Sequence, residues 1–220
     1  MNARRLTATV LCSAAALTAL SGCAKKGEVV VDSGVGITAV RSKCPAVGIP
    51  DYTGDITLFG KPGDKTAANI DVVASMTDVR TQCNQDAGDK VFAQVSFQIQ
   101  ARRNNTGGAR QVTLPYFVTV LQGGTAVISK RVGHVTLNFA DGEARAQATG
   151  SGSVHIDRAA ATLPEDIRKL ITRKRKAGDA DAAVDPLADP KVKAAVARAS
   201  FEVLVGFQLS EDQLAYNATR

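Results

Sequence analysis

Few residues of this chain carry side chains suited to acid–base or metal chemistry. The 220 residues include two histidines, His134 and His155, and histidine is the usual general base and a common zinc ligand. In the strand register proposed below, the two lie about 20 Å apart, so one site cannot use both. We expect each histidine to be an exposed polar residue, and we predict no catalytic residue, no metal ligand and no cofactor.

Two glycine-containing segments are similar to reactive loops but depart from the required order. Residues 60–66 read GKPGDKT, and Asp64 stands where a phosphate-binding loop needs glycine, so a negative charge precedes Lys65. Residues 150–153 read GSGS, which lacks the G-x-S-x-G order of a nucleophile elbow. We interpret the first as a turn and the second as a bend in a strand. The sequence therefore predicts a protein that is not an enzyme.

The N-terminus has the pattern of an export signal. Arg4 and Arg5 precede an uncharged run at residues 6–20. A helix of about 15 residues covers only ~22 Å of a hydrocarbon core about 30 Å thick, so a signal peptide is favoured over a permanent membrane span. The run ends in Leu-Ser-Gly-Cys at residues 20–23, where small residues stand directly before the cysteine.

This tetrapeptide resembles the lipobox of bacterial lipoproteins, and the resemblance covers residues 1–23 alone. It implies removal of a signal peptide at residues 1–22 and acylation of Cys23 with palmitate-type chains, which anchor a protein through about 0.8 kcal/mol per buried CH₂. The alternative is an ordinary secretory signal with a chance cysteine. Ala24 follows Cys23, and the lack of an aspartate there implies the outer membrane rather than the inner. We therefore expect a lipid-anchored envelope protein that faces the periplasm.

The composition excludes some partners. The net charge of +6 falls to about +4 once the two signal-peptide arginines are removed, and the remaining basic residues are dispersed, which is unlike a nucleic-acid-binding surface. Aromatic residues make up 5% of the chain and tryptophan is absent, which weighs against stacking on sugars. We expect the membrane and an envelope protein as partners, and no nucleic acid.

Cys44 and Cys83 remain after Cys12 is removed with the signal peptide and Cys23 is acylated. An even pair in an oxidising compartment favours a structural disulfide. A redox or metal-binding pair is the alternative, but the C-x-x-C spacing is missing.

Alternating apolar and polar residues predict β-strands through most of the chain. Strands are expected at about 36–43, 54–60, 70–76, 91–100, 111–122, 125–140, 143–157 and 200–209. This number of short strands favours an antiparallel β-sandwich of immunoglobulin- or fibronectin-like architecture. We expect a tether at residues 23–33 and a single domain at residues 34–220, with a helical and loop insertion at about 160–199 before the last strand.

Two glycine-containing turns suggest hairpin registers. Asp141-Gly142 is expected to pair residue 140 with residue 143, and Gly123-Gly124 to pair residue 122 with residue 125. Residues 135, 137 and 139 then face the core, and Tyr116 lies opposite Arg131. The arginine would be accommodated if its guanidinium stacked on the tyrosine ring. It would also be accommodated at an edge position, where the guanidinium reaches water.

The insertion contains helix signals. Thr162-x-x-Glu165 resembles a capping box for a helix at about 163–176. Asp189-Pro190 is suited to begin a second helix at about 190–199, after an Ala/Asp-rich loop at 179–189, and Ser210 is suited to cap a terminal turn.

The most specific binding hypothesis concerns the outward face of the hairpin 112–122/125–140. Its apolar residues are Pro115, Phe117, Leu121, Ile128 and Val132. A contiguous exposed apolar surface usually marks a partner site; the alternative is that the helix at 163–176 covers it. We therefore expect a non-catalytic interaction or assembly module, and the alternatives are an envelope hydrolase or a carrier of an apolar ligand.

Overall fold

The fold is that of a computed structural model, which describes residues 41–85 and 88–220. The expected signal peptide at 1–22, Cys23, the tether at 23–33 and the first residues of the expected domain lie outside the described residues. The strand expected at 36–43 lies mostly outside them too, and residues 41–43 form no strand.

Within residues 41–85 and 88–220, eight strands form two four-stranded sheets that enclose one core. They are β1 (Ala46–Gly48), β2 (Asp55–Phe59), β3 (Ile70–Asn84), β4 (Lys90–Arg103), β5 (Arg110–Gln122), β6 (Ala126–Phe139), β7 (Arg145–Asp157) and β8 (Phe201–Phe207). One sheet has the order β1-β8-β5-β6 and the other has the order β2-β3-β4-β7. The prediction of a mainly β fold is confirmed. The first sheet is mixed rather than antiparallel, because the short β1 runs parallel to β8.

The core consists of the inward-facing residues of both sheets, which alternate along each strand as the sequence predicted. Fully buried side chains include Val72, Val91, Phe97, Ile99, Leu114, Leu137, Phe139, Val203 and Phe207. Alternation of this kind places every second side chain in the core of a sandwich.

The predicted pairing of β6 with β7 is wrong. A tight turn does form at residues 140–143, where Glu143 N–H donates to the Ala140 carbonyl over 3.1 Å. The turn leads the chain into the other sheet, where β7 pairs with β4. The physical reason is Arg103, whose buried guanidinium donates to the carbonyls of Ala140 and Glu143 over 2.8 Å each and so ties the turn to the end of β4.

The predicted register of the β5–β6 hairpin is also wrong, although the inward and outward faces are retained. A bulge beside Val120 and Leu121 shifts the pairing, so that Tyr116 lies opposite Gly133 and Arg131 lies opposite Val118. From Arg110 to Val120, the observed pairing of β5 with β6 differs from the predicted pairing by two residues. A shift by an even number keeps each side chain on its original face.

Three short helices follow in the C-terminal part: α1 (Glu165–Thr172), α2 (Pro190–Ala199) and α3 (Glu211–Thr219). The capping box expected at Thr162 does not form, since its hydroxyl donates to the Arg158 carbonyl over 2.6 Å and α1 begins after Pro164. Asp189 caps α2 as predicted. Ser210 caps α3 in a full capping box with Gln213.

Cys44 and Cys83 form a disulfide, which confirms that prediction. The bond joins the segment before β1 to the end of β3 and so links the two sheets. Disulfides of this kind are typical of extracytoplasmic proteins. Among the residues described, no helix has the length and apolar character needed to cross a bilayer.

Candidate functional site

Strands β6 and β7 are neighbouring edges of the two sheets. In the described part of the chain β6 pairs with β5 alone and β7 pairs with β4 alone. Each strand therefore leaves one row of backbone N–H and C=O groups without a strand partner. Native proteins usually protect such edges, because they are ready templates for another strand.

The half of this edge near the 140–143 turn is closed by side-chain packing. Val135, Leu137 and Phe139 of β6 are buried in the core, and Ala146 and Ala148 of β7 pack partly buried against it. Small residues on one strand accommodate large residues on the other. These side chains therefore pack β6 and β7 together over this half of the edge.

Near the middle of the edge, Tyr116 contacts Ser151 of the other sheet. We call this contact the seam, and the closed half of the edge ends there. The Tyr116 hydroxyl donates to the Ser151 carbonyl of β7 over 2.8 Å. The tyrosine ring lies directly over Gly133, where an added Cβ would be 2.6 Å from the ring Cζ. Phe97 packs edge-on against this ring with a centroid separation of 5.0 Å. It occupies the space left by Gly150, where an added Cβ would be 2.3 Å from its ring.

Beyond the seam the two strands enclose a cleft of about 290 Å³ that is lined by apolar and polar residues in equal number. Its lining includes the apolar side chains of Val118, Val120, Val154, Ile156 and Phe201. The wall on the β6 side comes from Ile128, Ser129 and Arg131. Residues 126–132 of β6 are all exposed, so the outer wall is accessible from solvent.

The rim of the cleft is charged on both sides. Lys90 and Asp157 form an exposed ion pair of 2.9 Å at one end. Arg131 lines the cleft from the other strand, and within the described ranges no carboxylate lies within 4 Å of its guanidinium. The cleft therefore combines an apolar floor with an uncompensated positive charge at its entrance.

The structure does not bring the predicted patch together as one exposed surface. Phe117 is 9% exposed. The Lys130 ammonium lies 5.1 Å from the centroid of its ring. The ring and the Thr53 side chain both lie against Gly206, where an added Cβ would contact each of them. Pro115 and Leu121 are half-buried. Val132 and Ile128 are 53% and 55% exposed, but the bulge makes Ile128 an unpaired residue that lines the cleft.

The helix proposed as a cover for this patch packs elsewhere. Ile171 of α1 is buried and lines a small cavity with residues 41–43 and with the end of α2. Leu170 remains exposed. The burial of Phe117 comes instead from its own sheet and from the loop before β2.

The two histidines lie on different sheets, His134 opposite Pro115 and His155 opposite Phe92. His155 is also one of the residues that line the cleft. The His155 ring packs 5.1 Å from that of Phe92. No group of three or more His, Cys, Asp or Glu side chains in the described part is placed to hold a metal ion. The GKPGDKT segment is a turn, in which Asp64 accepts hydrogen bonds from the Thr66 N–H and hydroxyl. These bonds hold the pKa of the Asp64 carboxyl below its ordinary value.

Two exposed residues of β6, Val127 and Arg131, take positions that the sequence did not predict. Val127, 63% exposed, takes the outward position opposite Leu121 because of the bulge. Arg131 was assigned to the core face opposite Tyr116, whereas it lines the entrance of the cleft. The sequence carried no signal for either placement, because both depend on the bulge in the pairing of β5 with β6.

Comparison of the chain with protein-family models, with characterised proteins and with solved structures finds no match.

Proposed function

We propose that this protein is a lipid-anchored, non-catalytic module of the bacterial cell envelope that holds an extended segment of a partner protein along the open edge of β6 and β7. The observation that carries the proposal is the pair of unpaired strand edges on either side of the cleft. A strand added to an exposed sheet edge gains main-chain hydrogen bonds, and pockets for alternate side chains give it specificity.

The chemistry of the cleft indicates what the partner segment carries. Its floor accepts apolar side chains at alternate positions of an extended chain, because successive side chains of a strand point to opposite faces. Arg131 at the entrance favours an acidic residue in the segment, since a carboxylate would form a charge-assisted pair there. The partner is therefore an extended peptide of alternating apolar residues with at least one carboxylate.

The anchor rests on the lipobox-like motif. Acylation of Cys23 would attach the chain to the membrane, and residues 24–40 span at most about 60 Å when extended. The chain enters the described domain beside Ser200, to which Arg41 donates a hydrogen bond of 3.2 Å. The next residue, Phe201, lines the cleft. The partner would therefore be held close to the periplasmic surface of the outer membrane.

The architecture is proposed to be immunoglobulin- or fibronectin-like, in keeping with two packed sheets and the crossing connections between them. This likeness concerns the fold and carries no function, because sandwiches of this kind serve many unrelated roles.

A carrier of an apolar ligand is the second candidate. The apolar floor of the cleft favours it. The volume of about 290 Å³ lies at the lower limit of small-molecule sites, and the open outer wall suits a strand better than an enclosed molecule.

The anchor and the docking edge need separate tests. Incorporation of radiolabelled palmitate and sedimentation with membranes are expected for the wild type and lost in Cys23→Ser. For the edge, Ile128→Asp is compared with Val184→Asp, because these residues are 55% and 54% exposed and Val184 lies in the loop after α1. We expect Ile128→Asp to lower recovery of a specific, stoichiometric partner about tenfold and Val184→Asp to leave it unchanged. Equal recovery with both variants would contradict the docking edge, and a co-purifying lipid in place of a protein would favour the carrier.

A further inference from the structure

The outer face of the β2-β3-β4-β7 sheet places two arginines directly opposite each other. Arg102 of β4 pairs with Arg145 of β7 in the strand register, and both side chains are exposed. Directly opposed residues of neighbouring strands have Cβ atoms about 5 Å apart, and like charges at that distance are destabilising. The buried guanidinium of Arg103 adds a further positive charge nearby.

Two acidic residues of this sheet, Asp71 and Asp55, are paired with other arginines. Both carboxylate oxygens of Asp71 accept hydrogen bonds from Arg110, over 2.7 and 2.6 Å, and Asp55 forms an ion pair with Arg220 of 3.2 Å. Across residues 41–85 and 88–220, no carboxylate lies within 4 Å of the guanidinium of Arg102 or Arg145. Arg102 makes one long side-chain hydrogen bond of 3.5 Å to Asn104.

The pair lies in an open cleft of about 930 Å³ on this face. Beside the arginines, the cleft presents the side-chain amides of Gln100 and Gln147. Asn104 and Ser75 also line it, but the Asn104 amide donates to the Ile70 carbonyl and the Ser75 hydroxyl donates to Asp55. Gln100 and Gln147 are themselves directly opposed, in the row of the sheet next to the arginines. No aromatic residue is among the lining residues that the structure describes. The cleft therefore offers charge and hydrogen bonds rather than a stacking surface.

We propose that this cleft is an anion-binding site in which Arg102 and Arg145 together hold a carboxylate or a phosphate. Each guanidinium presents a planar fork of donors that matches the oxygens of either group. The neighbouring amides then bind hydroxyl or amide groups attached to the anion. A bound anion also removes the repulsion between the two arginines. The site lies on a different face from the β6–β7 edge, so it is independent of the docking function proposed above.

The test uses the full mature chain in non-ionic detergent micelles and follows the arginine Nε–Hε signals by ¹H–¹⁵N NMR. Inorganic phosphate and D-glucuronate are the probes, each titrated at constant ionic strength against sodium chloride. We expect saturable shifts of the Arg102 and Arg145 signals with at least one probe. The Arg80 signal is the internal control and should not move, because this exposed arginine of β3 is already paired with Asp78 over 2.7 Å.

Substitution separates binding from folding. We expect Arg102→Gln and Arg145→Gln each to weaken probe binding about tenfold, and Arg80→Gln to leave it unchanged. The melting temperatures of the first two variants should equal or exceed that of the wild type, because each substitution relieves a like-charge contact. Saturable shifts with phosphate alone, with glucuronate alone or with both would assign the site to phosphate, to carboxylate or to oxyanions in general. Shifts no larger than those with chloride, or equal shifts at Arg80, would overturn the proposal.

Discussion

The hydroxyl of Tyr116 on β5 donates a hydrogen bond of 2.8 Å to the carbonyl oxygen of Ser151 on β7. This bond joins the two sheets at the point where their neighbouring edges separate. On one side of it, β6 and β7 are closed by packed side chains. On the other side, they enclose the cleft. The Tyr116–Ser151 contact therefore sets the inner limit of the docking edge.

Tyr116→Phe removes this hydrogen bond while it retains the ring over Gly133. We expect a loss of about 1 kcal/mol in the free energy of unfolding, the usual contribution of one hydrogen bond. Chemical denaturation measures the change. Tyr52→Phe is the matched control, since Tyr52 is exposed and its hydroxyl makes no hydrogen bond to the part of the chain described. Equal stability of the Tyr116→Phe variant and the wild type would show that packing alone fixes the seam.

Arg103→Lys tests how much the buried guanidinium, which binds the turn after β6, contributes to stability. Arg103 is 1% exposed and donates to four backbone carbonyls, those of Thr106, Gly108, Ala140 and Glu143. A lysine ammonium cannot reproduce this fork, so several contacts to a buried charge would be lost. We expect a loss of about 3 kcal/mol or more in the free energy of unfolding.

The control for Arg103→Lys is Arg102→Lys at the adjacent, exposed position, which should change stability by less than about 0.5 kcal/mol. Thermal or urea unfolding of both variants distinguishes the two environments. Similar effects at the two positions would contradict the role assigned to Arg103.

Arg103 also explains where sequence reasoning succeeded and where it failed. Alternation along β6 correctly placed Val135, Leu137 and Phe139 in the core, because the face of a side chain depends on its own strand. The partner of β7 depends on contacts across the chain, and a tight turn at residues 140–143 is equally compatible with a hairpin and with a crossing between sheets. No local pattern near that turn indicates that an arginine some forty residues earlier binds its carbonyls.

The docking edge was accessible to sequence reasoning in part. Outward apolar residues on the β5–β6 hairpin were recognised, but the bulge at Val120 and Leu121 moved Ile128 to the cleft and Val127 to the outer face. A bulge changes the register by single residues and leaves little trace in composition. The short β1 was missed because three residues carry no periodic pattern and pair with β8, far away in the chain.

Removal of the disulfide is expected to destabilise the domain strongly. The Cys44–Cys83 bond closes a loop with a sequence separation of 39 residues, and constraint of an unfolded loop of that length contributes about 4 kcal/mol. Cys44→Ser/Cys83→Ser should lower the free energy of unfolding by that order, as measured by urea denaturation. In a reducing agent the wild type should match the variant. A wild type whose stability does not change on reduction would contradict the stabilising role of the bond.

The Asp71–Arg110 pair is expected to contribute to acid sensitivity. Hydrogen bonds from Arg110 hold the pKa of the Asp71 carboxyl below its ordinary value in the folded state. The unfolded state therefore binds the proton more readily, so this stabilisation is present above the unfolded pKa of about 3.9 and is lost as the pH falls through the lower folded value. Urea denaturation between neutral pH and about pH 3 should show a shallower loss of stability in Asp71→Asn than in the wild type. An unchanged slope in Asp71→Asn would contradict this assignment.

Site-specific photocrosslinking in native envelopes tests whether a partner polypeptide lies along the open edge of β6 and β7. A benzophenone amino acid is placed at residue 128 in the cleft wall or at residue 184 in the equally exposed loop, in chains that retain Cys23. We predict one discrete crosslinked protein from position 128, identified by mass spectrometry, and none from position 184. The same crosslinks from both positions, or crosslinks from position 128 to lipid alone, would contradict the account.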